Sequence, residues 1–242
     1  MLPQNAPPSS APHAGSFSPS QIATEQAAFM RKVFAFMAGG LGATALTALV
    51  VFHSEAATRF IFGNRAVFYG LLLGELAMVW SFSSLARRMS AVGAAALFYL
   101  YAIVNGLTLS VIFLIYTQGS IAETFFVTAG TFGAMSLYGY VTKRDLTSMG
   151  SFMFMGLIGL ILASVVNMFL GSPMLYWGIT FFGVLIFVGL TAYDVQKIKQ
   201  LNVIGNAGTD EDHKEAIHGA LILYLDFVNL FLYMLRLLGR RR

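Results

Sequence analysis

The sequence predicts an all-α integral membrane protein of seven membrane-spanning helices, and two observations support this. Of the 242 residues, 57% are hydrophobic and 11% are charged, whereas an ordinary soluble domain has about 25% charged residues. The apolar residues also fall into seven segments of about 20 residues, the length that crosses a ~30 Å hydrocarbon core as a helix. Because lipid cannot satisfy backbone polar groups, segments of this length must be helical.

Composition also excludes several classes of function. The chain has no cysteine, which rules out disulfides, thiolate metal sites and a cysteine nucleophile. The formal charge is +4, but the basic residues occur in isolated groups between apolar runs. We therefore expect the lipid bilayer as the main partner, with no nucleic-acid partner and no cofactor.

The first 29 residues differ from the rest of the chain. They are rich in serine, alanine and proline, and they precede any apolar periodicity. This composition predicts a disordered tail over residues 1–29, followed by a membrane domain over residues 30–242. Arg31 and Lys32 precede a first apolar run that is long enough to span, so the run is expected to remain as an anchor and not to be a cleaved signal peptide.

The predicted helices follow at nearly regular intervals. Six apolar segments are followed by a seventh that is apolar but contains Asp226 and Arg236. This last segment either crosses the membrane or dips into it and returns, since a seventh crossing would leave the basic C-terminal residues outside. In chain order the segments are 33–52, 66–86, 91–116, 124–141, 151–170, 174–194 and 216–238.

The loop charges predict the orientation of the bundle. Lysine and arginine in short loops are retained on the cytoplasmic side. If every segment crosses, four basic clusters fall on one side, and the N-terminus is then cytoplasmic. The clusters are Arg31 with Lys32, Arg87 with Arg88, Lys143 with Arg144, and Lys197 with Lys199 and Lys214.

Three acids lie within the apolar segments: Glu75, Asp194 and Asp226. An acid at a lipid-exposed helix centre costs roughly 2.5–3.5 kcal/mol, so these side chains should face the protein interior and are candidate functional residues. Asp194 can also be interpreted as interfacial, because Lys197 follows closely. Asp226 lies within an apolar run and cannot be interpreted as interfacial in the same way. Helical spacing places Asn229 and Tyr233 on the same face of the helix as Asp226.

The two aspartates predict a specific chemistry if they meet in the bundle. Two carboxylates in one low-dielectric site cannot both ionise readily, so the pair would share a proton and could sense pH. A hard cation such as Ca²⁺ would compete with that proton for the carboxylate oxygens of Asp194 and Asp226. Arg236, near the end of the last helix, could either extend to the interface or pair with Glu75.

Two motifs give the chain a resemblance to a known family. Residues 191–196, Thr-Ala-Tyr-Asp-Val-Gln, close the sixth segment, and residues 223–231, Leu-Tyr-Leu-Asp-Phe-Val-Asn-Leu-Phe, lie in the seventh. With the seven hydrophobic segments, these motifs resemble the Bax inhibitor-1 family, also called the transmembrane Bax inhibitor motif family, in its bacterial branch. The resemblance covers roughly residues 30–238.

The resemblance implies both a fold and a function. The fold is a seven-helix bundle in the bacterial inner membrane, with the last helix near its centre. The function is a pH-sensitive calcium leak in which Asp194 and Asp226 share a proton. The resemblance further implies an ion pair between Glu75 and Arg236, and a latch arginine late in the second helix, either Arg87 or Arg88.

Two other functions remain as alternatives. An intramembrane aspartyl protease would carry Tyr-Asp in one helix and Gly-x-Gly-Asp in the next. Tyr193-Asp194 provides the first motif. Residues 223–225, directly before Asp226, contain no glycine that would let a peptide approach the backbone, so we do not expect an enzyme. The other alternative is a non-conducting regulator that binds other membrane proteins, such as a membrane protease.

Overall fold

The computed structural model describes residues 17–86 and 88–242. Within these residues the chain is a bundle of α-helices, as the sequence predicts. Helices α2 and α5 are short, and the other seven have 19 residues or more. In chain order the helices are α1 (Pro19–His53), α2 (Glu55–Gly63), α3 (Arg65–Ala86), α4 (Ala91–Leu109), α5 (Ile112–Ile115), α6 (Gln118–Val141), α7 (Thr147–Leu170), α8 (Pro173–Leu201) and α9 (Asp210–Leu238).

Six stretches within the described residues are long and apolar enough to span a membrane, one fewer than the sequence predicts. They are α1, α3, the α4–α5 stretch, α7, α8 and α9. Helix α6 takes the place of the fourth predicted segment and, with 24 residues, is about 36 Å long. Its hydroxyl-bearing residues reduce its hydropathy, and most of them are buried against the bundle, among them Ser120, Thr124, Thr128 and Ser136.

Helix α1 begins earlier than the sequence predicts. The tail was expected to extend to residue 29, but the helix starts at Pro19. Ser18 accepts a hydrogen bond from the backbone of Gln21, and the Gln21 side chain accepts one from the backbone of Ser18. This reciprocal capping box, with proline at the first helical position, satisfies the free N–H groups of the first turn. Residues 1–16 of the predicted tail lie outside the described residues.

The middle of the chain also departs from the predicted segments. The third segment, 91–116, divides into α4 and α5 at a turn over Ser110 and Val111. The additional helix α2 lies in the loop between the first two spans, and Ser54 caps its N-terminus by accepting a hydrogen bond from Ala57 N–H. Neither departure changes the order of the long helices.

Helix α9 lies at the centre of the bundle, as expected from the family resemblance. It packs against α1, α4, α6 and α8, and Leu223, Tyr224 and Leu230 on it are fully buried. The helix is continuous over 29 residues, about 44 Å. The alternative in which this segment dips into the membrane and returns is therefore wrong, because the buried polar side chains of α9 are accommodated without a break in the helix.

Contacts at the two ends of the bundle fix α9 along its length. At the end where α1 begins, the N-terminal end, Lys32 forms a salt bridge with the buried side chain of Asp212. At the opposite, C-terminal end, Arg242 N–H donates to the carbonyl of Ile115, and Thr117 N–H donates to that of Arg240. Residues 240–242 therefore lie beside the loop between α5 and α6.

Residues from three of the basic clusters predicted to share one side lie at the N-terminal end. Lys32 contacts the start of α9. The Gln196 amide donates to the carbonyl of Arg144, and Lys199 donates to the carbonyl of Tyr140. These contacts support the charge argument for the orientation, and a cytoplasmic N-terminus stays a prediction.

Close helix packing depends on small residues at particular positions. A Cβ atom on Gly139 of α6 would lie 2.2 Å from the carbonyl oxygen of Ala192 of α8. In lipid, helices associate largely through such close packing, because apolar burial offers little advantage there. Gly139 therefore sets the distance between α6 and α8, the helix that carries Asp194.

We predict that Gly139→Ala destabilises the protein by about 1–3 kcal/mol, because the backbone at Ala192 cannot move aside easily. Gly130→Ala on the same helix is the matched control, since its Cβ would meet nothing within 4 Å. Alanine there should leave stability unchanged or raise it by up to about 1 kcal/mol through helix propensity. Thermal unfolding in detergent measures both variants, and equal stability of the two would contradict this packing role.

Candidate functional site

Asp194 and Asp226 come together between α8 and α9. These helices pack side by side, and the two carboxyl groups are direct neighbours that line one cavity. Asp226 is 5% exposed and Asp194 is half-buried. The structure thus places Asp194 inside the bundle beside Asp226 and not in the lipid interface.

The surroundings of Asp226 offer it little other polar contact. Among the described residues, its buried Oδ2 atom has no hydrogen-bond partner. Two ionised carboxylates have only acceptors to offer each other. A hydrogen bond between the two carboxyl groups therefore requires that one of them carries a proton.

A cavity of about 860 Å³ surrounds this pair and is named the aspartate cavity here. Helices α7, α8 and α9 form its walls. Asn229 and Tyr233 line it together with Asp226, so the polar stripe predicted from helical spacing is confirmed. Besides the two aspartates, the titratable side chains that line the cavity are Tyr193, Lys197 and Tyr233.

Lys197 brings a positive charge to the aspartate cavity, whereas the sequence placed it in a loop cluster and also allowed an interfacial position for Asp194. It lies one helical turn after Asp194, and its charge acts on that carboxyl group. Its ammonium group lies 5.4 Å from the centre of the Tyr193 ring. The i, i+3 spacing of an acid and a lysine was the sequence signal for this contact.

Of the two predicted latch arginines, the structure describes only Arg88, which does not lie beside the aspartates. Arg88 is exposed in the turn that follows α3 and does not line the aspartate cavity. Arg87 lies outside the described residues. The cation that lines this cavity is therefore Lys197, from α8, and not Arg88.

The predicted ion pair between Glu75 and Arg236 is not formed. The Glu75 carboxylate accepts hydrogen bonds from Asn105 Nδ2 at 3.1 Å and Thr108 Oγ1 at 2.7 Å. Arg236 is exposed, and its guanidinium lies 5.3 Å from the centre of the Tyr233 ring. Two neutral donors from α4 thus take the place expected for the arginine, which extends to the surface.

Glu75 and Arg236 nevertheless line one cavity of about 750 Å³, named the glutamate cavity here. This cavity lies toward the C-terminal end of the bundle, where Tyr116 and Arg241 also line it. Its walls are largely apolar, with Glu75 as the buried acid. Of the three acids predicted from the sequence, Glu75 therefore lies in one site, and Asp194 and Asp226 lie in another.

A buried polar network extends from Glu75 across the bundle, and sequence reasoning missed it. The Tyr224 hydroxyl donates to Asn105 Oδ1 at 3.0 Å and lies 2.6 Å from Thr44 Oγ1. Through Asn105 the network joins Glu75 of α3 to α4, α9 and α1. The available signal was Asn105 itself, an amide in the middle of an apolar segment.

Among the described residues, no three histidine, aspartate or glutamate side chains come together as a metal cluster. The aspartate pair therefore offers a cation two carboxyl groups and neutral oxygens from its neighbours. A resident calcium site has 6–8 oxygen ligands. The donor set of this pair is thus smaller than that of a calcium-storage site.

We predict that the energetic coupling of Glu75 is with Asn105 and not with Arg236. In double-mutant cycles, Glu75→Ala with Asn105→Ala should show a coupling energy of about 0.5–3 kcal/mol, as directly bonded residues do. Glu75→Ala with Arg236→Ala should be additive within about 0.5 kcal/mol. Unfolding free energies in detergent provide both cycles, and strong coupling to Arg236 alone would contradict the observed contacts.

Comparison with known proteins agrees with this architecture. A family model described as inhibitor of apoptosis-promoting Bax1 matches residues 26–242. The chain is 50% identical over 215 residues to the inner membrane protein YbhL of Escherichia coli K12, covering 88% of this chain and 92% of that protein. It is 47% identical over 214 residues to a Borreliella burgdorferi protein, with the same coverage. The resemblance inferred from the two aspartate motifs is confirmed, and the chain belongs to the Bax inhibitor-1 family of membrane proteins.

Proposed function

We propose that this protein is a pH-sensitive cation leak channel of the bacterial inner membrane, with calcium as the transported ion and Asp194 and Asp226 as the gating pair. The observation that carries the proposal is that two neighbouring carboxyl groups line one cavity inside the bundle. The six apolar spans support a membrane location, and the printed name of the YbhL relative supports the inner membrane.

Proton and cation compete for the same oxygens in this proposal. With one shared proton the pair carries a single negative charge, and loss of that proton leaves two charges close together. A divalent cation relieves this repulsion as a proton does, so cation occupancy rises when the proton is lost. Lys197 lines the same cavity and weakens the attraction for a cation.

The modest donor set favours passage of the ion over its storage. Conduction requires a site that binds an ion well enough to admit it and weakly enough to release it. Two carboxyl groups with Asn229 and neighbouring hydroxyls meet this condition better than a full calcium cage. The basic clusters at the N-terminal end support a cytoplasmic N-terminus for the channel.

The test is cation flux into liposomes that contain the purified full-length chain, measured from pH 5 to 8. We expect flux of the unmodified protein to depend on pH. Asp194→Asn or Asp226→Asn removes the mutual repulsion and one titrating proton. Each variant should therefore lose most of the pH dependence of the flux, and not only show a lower flux with the same pH dependence. The two single variants and the double variant are compared at each pH.

Asp145→Asn is the matched control for the same chemical change outside the membrane. Asp145 is exposed in the loop between α6 and α7. Side-chain and backbone hydrogen bonds from Thr147 hold the pKa of Asp145 below its usual value. The group is therefore ionised throughout pH 5–8, and its replacement should leave the pH profile unchanged.

Two results would count against the channel. An unchanged pH profile in both aspartate variants would place proton sensing elsewhere, with His213 and His218 of α9 as the next groups to replace. Absence of flux across the whole range would leave the alternative of a non-conducting regulator that binds other membrane proteins. Such binding should survive in the double aspartate variant.

A further inference from the structure

The aspartate and glutamate cavities lie end to end along the same three helices. On α7, residues up to Ile161 line the aspartate cavity and residues from Ser164 onward line the glutamate cavity. On α8, the lining changes between Ile179 and Phe187. On α9, it changes at residues 232–233. The boundary therefore lies at one level of the bundle on all three helices.

Tyr233 occupies this level. Its ring packs on Gly183 of α8, which lies between the two sets of lining residues, and a Cβ atom on Gly183 would come within 2.5 Å of the ring. The ring also stacks on Phe187, with centroids 5.8 Å apart and an interplanar angle of 27°. The absence of a side chain at Gly183 thus creates the space that the Tyr233 ring fills.

The neighbours of the Tyr233 ring belong to different cavities. Phe187 lines the aspartate cavity. Arg236, whose guanidinium lies over the ring at 5.3 Å, lines the glutamate cavity. A cation–π contact of this kind helps to hold a ring in place. The ring of Tyr233 therefore lies between the aspartate cavity and the glutamate cavity.

We propose that Tyr233 is the barrier that separates the two cavities, and so the residue at which a water-filled path through the protein is interrupted. An aromatic ring seated on Gly183 and Phe187 leaves an ion no replacement for its water ligands at this level, as in other apolar constrictions. A role of Tyr233 as a barrier to ions rests on the proposed function, whereas its role as a barrier to a water-soluble reagent does not.

The absence of cysteine from the sequence permits a direct test. Ser151 and Ser164 both lie on α7, and they line the aspartate and the glutamate cavity respectively. Each is replaced singly by cysteine in the full-length chain. A membrane-impermeant cationic methanethiosulfonate is then added to right-side-out spheroplasts or to inside-out vesicles, which expose opposite faces. With Tyr233 present, we expect each cysteine to be modified from one face only, and the two from opposite faces.

Removal of the ring should connect the cavities. Tyr233→Ala should speed modification of Ser151→Cys from the previously closed face at least about tenfold, the loss of a ~1.4 kcal/mol barrier. Tyr233→Phe keeps the ring and should keep the separation. Phe182→Ala is the matched control, because Phe182 is a neighbouring aromatic residue on α8 that is 58% exposed. Gel filtration in detergent establishes that each variant is folded.

Two outcomes would overturn the barrier. One is modification of Ser151→Cys from both faces while Tyr233 is present, and the other is unchanged accessibility in a folded Tyr233→Ala variant. The liposome flux of the same variants separates this inference from the proposed function. Accessibility that changes without any cation flux would refute the channel and retain the barrier, whereas pH-dependent flux with unchanged accessibility would do the reverse.

Discussion

A carboxyl group on the central helix has to find its polar partner within the protein, and the arrangement of the bundle follows from that constraint. Lipid offers no hydrogen bonds, and α9 is packed on several sides by other helices. Asp226 meets the constraint through α8, where Asp194 lies within reach. The close approach of α6 to α8 at Gly139 and the continuous course of α9 hold these groups in place.

The two polar centres on α9 differ in how completely they are satisfied. Tyr224 and Glu75 belong to a network in which hydroxyl, amide and carboxylate groups find partners across four helices. Such satisfied networks make a bundle rigid and specify its packing. In the aspartate pair, the Oδ2 atom of Asp226 has no hydrogen-bond partner among the described residues, and a cavity adjoins the pair. The satisfied network and the aspartate pair thus involve separate residues of the same helix.

Much of this could be predicted from the sequence, because membrane burial imposes simple rules. Apolar length fixed the long helices, and the cost of an unpaired acid in lipid predicted that Asp194 and Asp226 face inward. The Ser18–Gln21 capping box was also present in the sequence, but the prolines around it favoured a disordered interpretation. The partners of Glu75 could not be predicted from these rules. Neutral donors on a neighbouring helix compete with a charged partner such as Arg236, and only the packing of the helices shows which group lies next to Glu75.

The attachment of α9 at both ends has a mechanical consequence. Its first turn is tied to α1 through Asp212 and Lys32, and the residues after it form a short bridge in which Arg241 pairs with Tyr116. Contacts at both ends oppose sliding of this helix along its own axis. Helix α7, by contrast, contacts chiefly α8, so a displacement of α7 would disturb the central helix least.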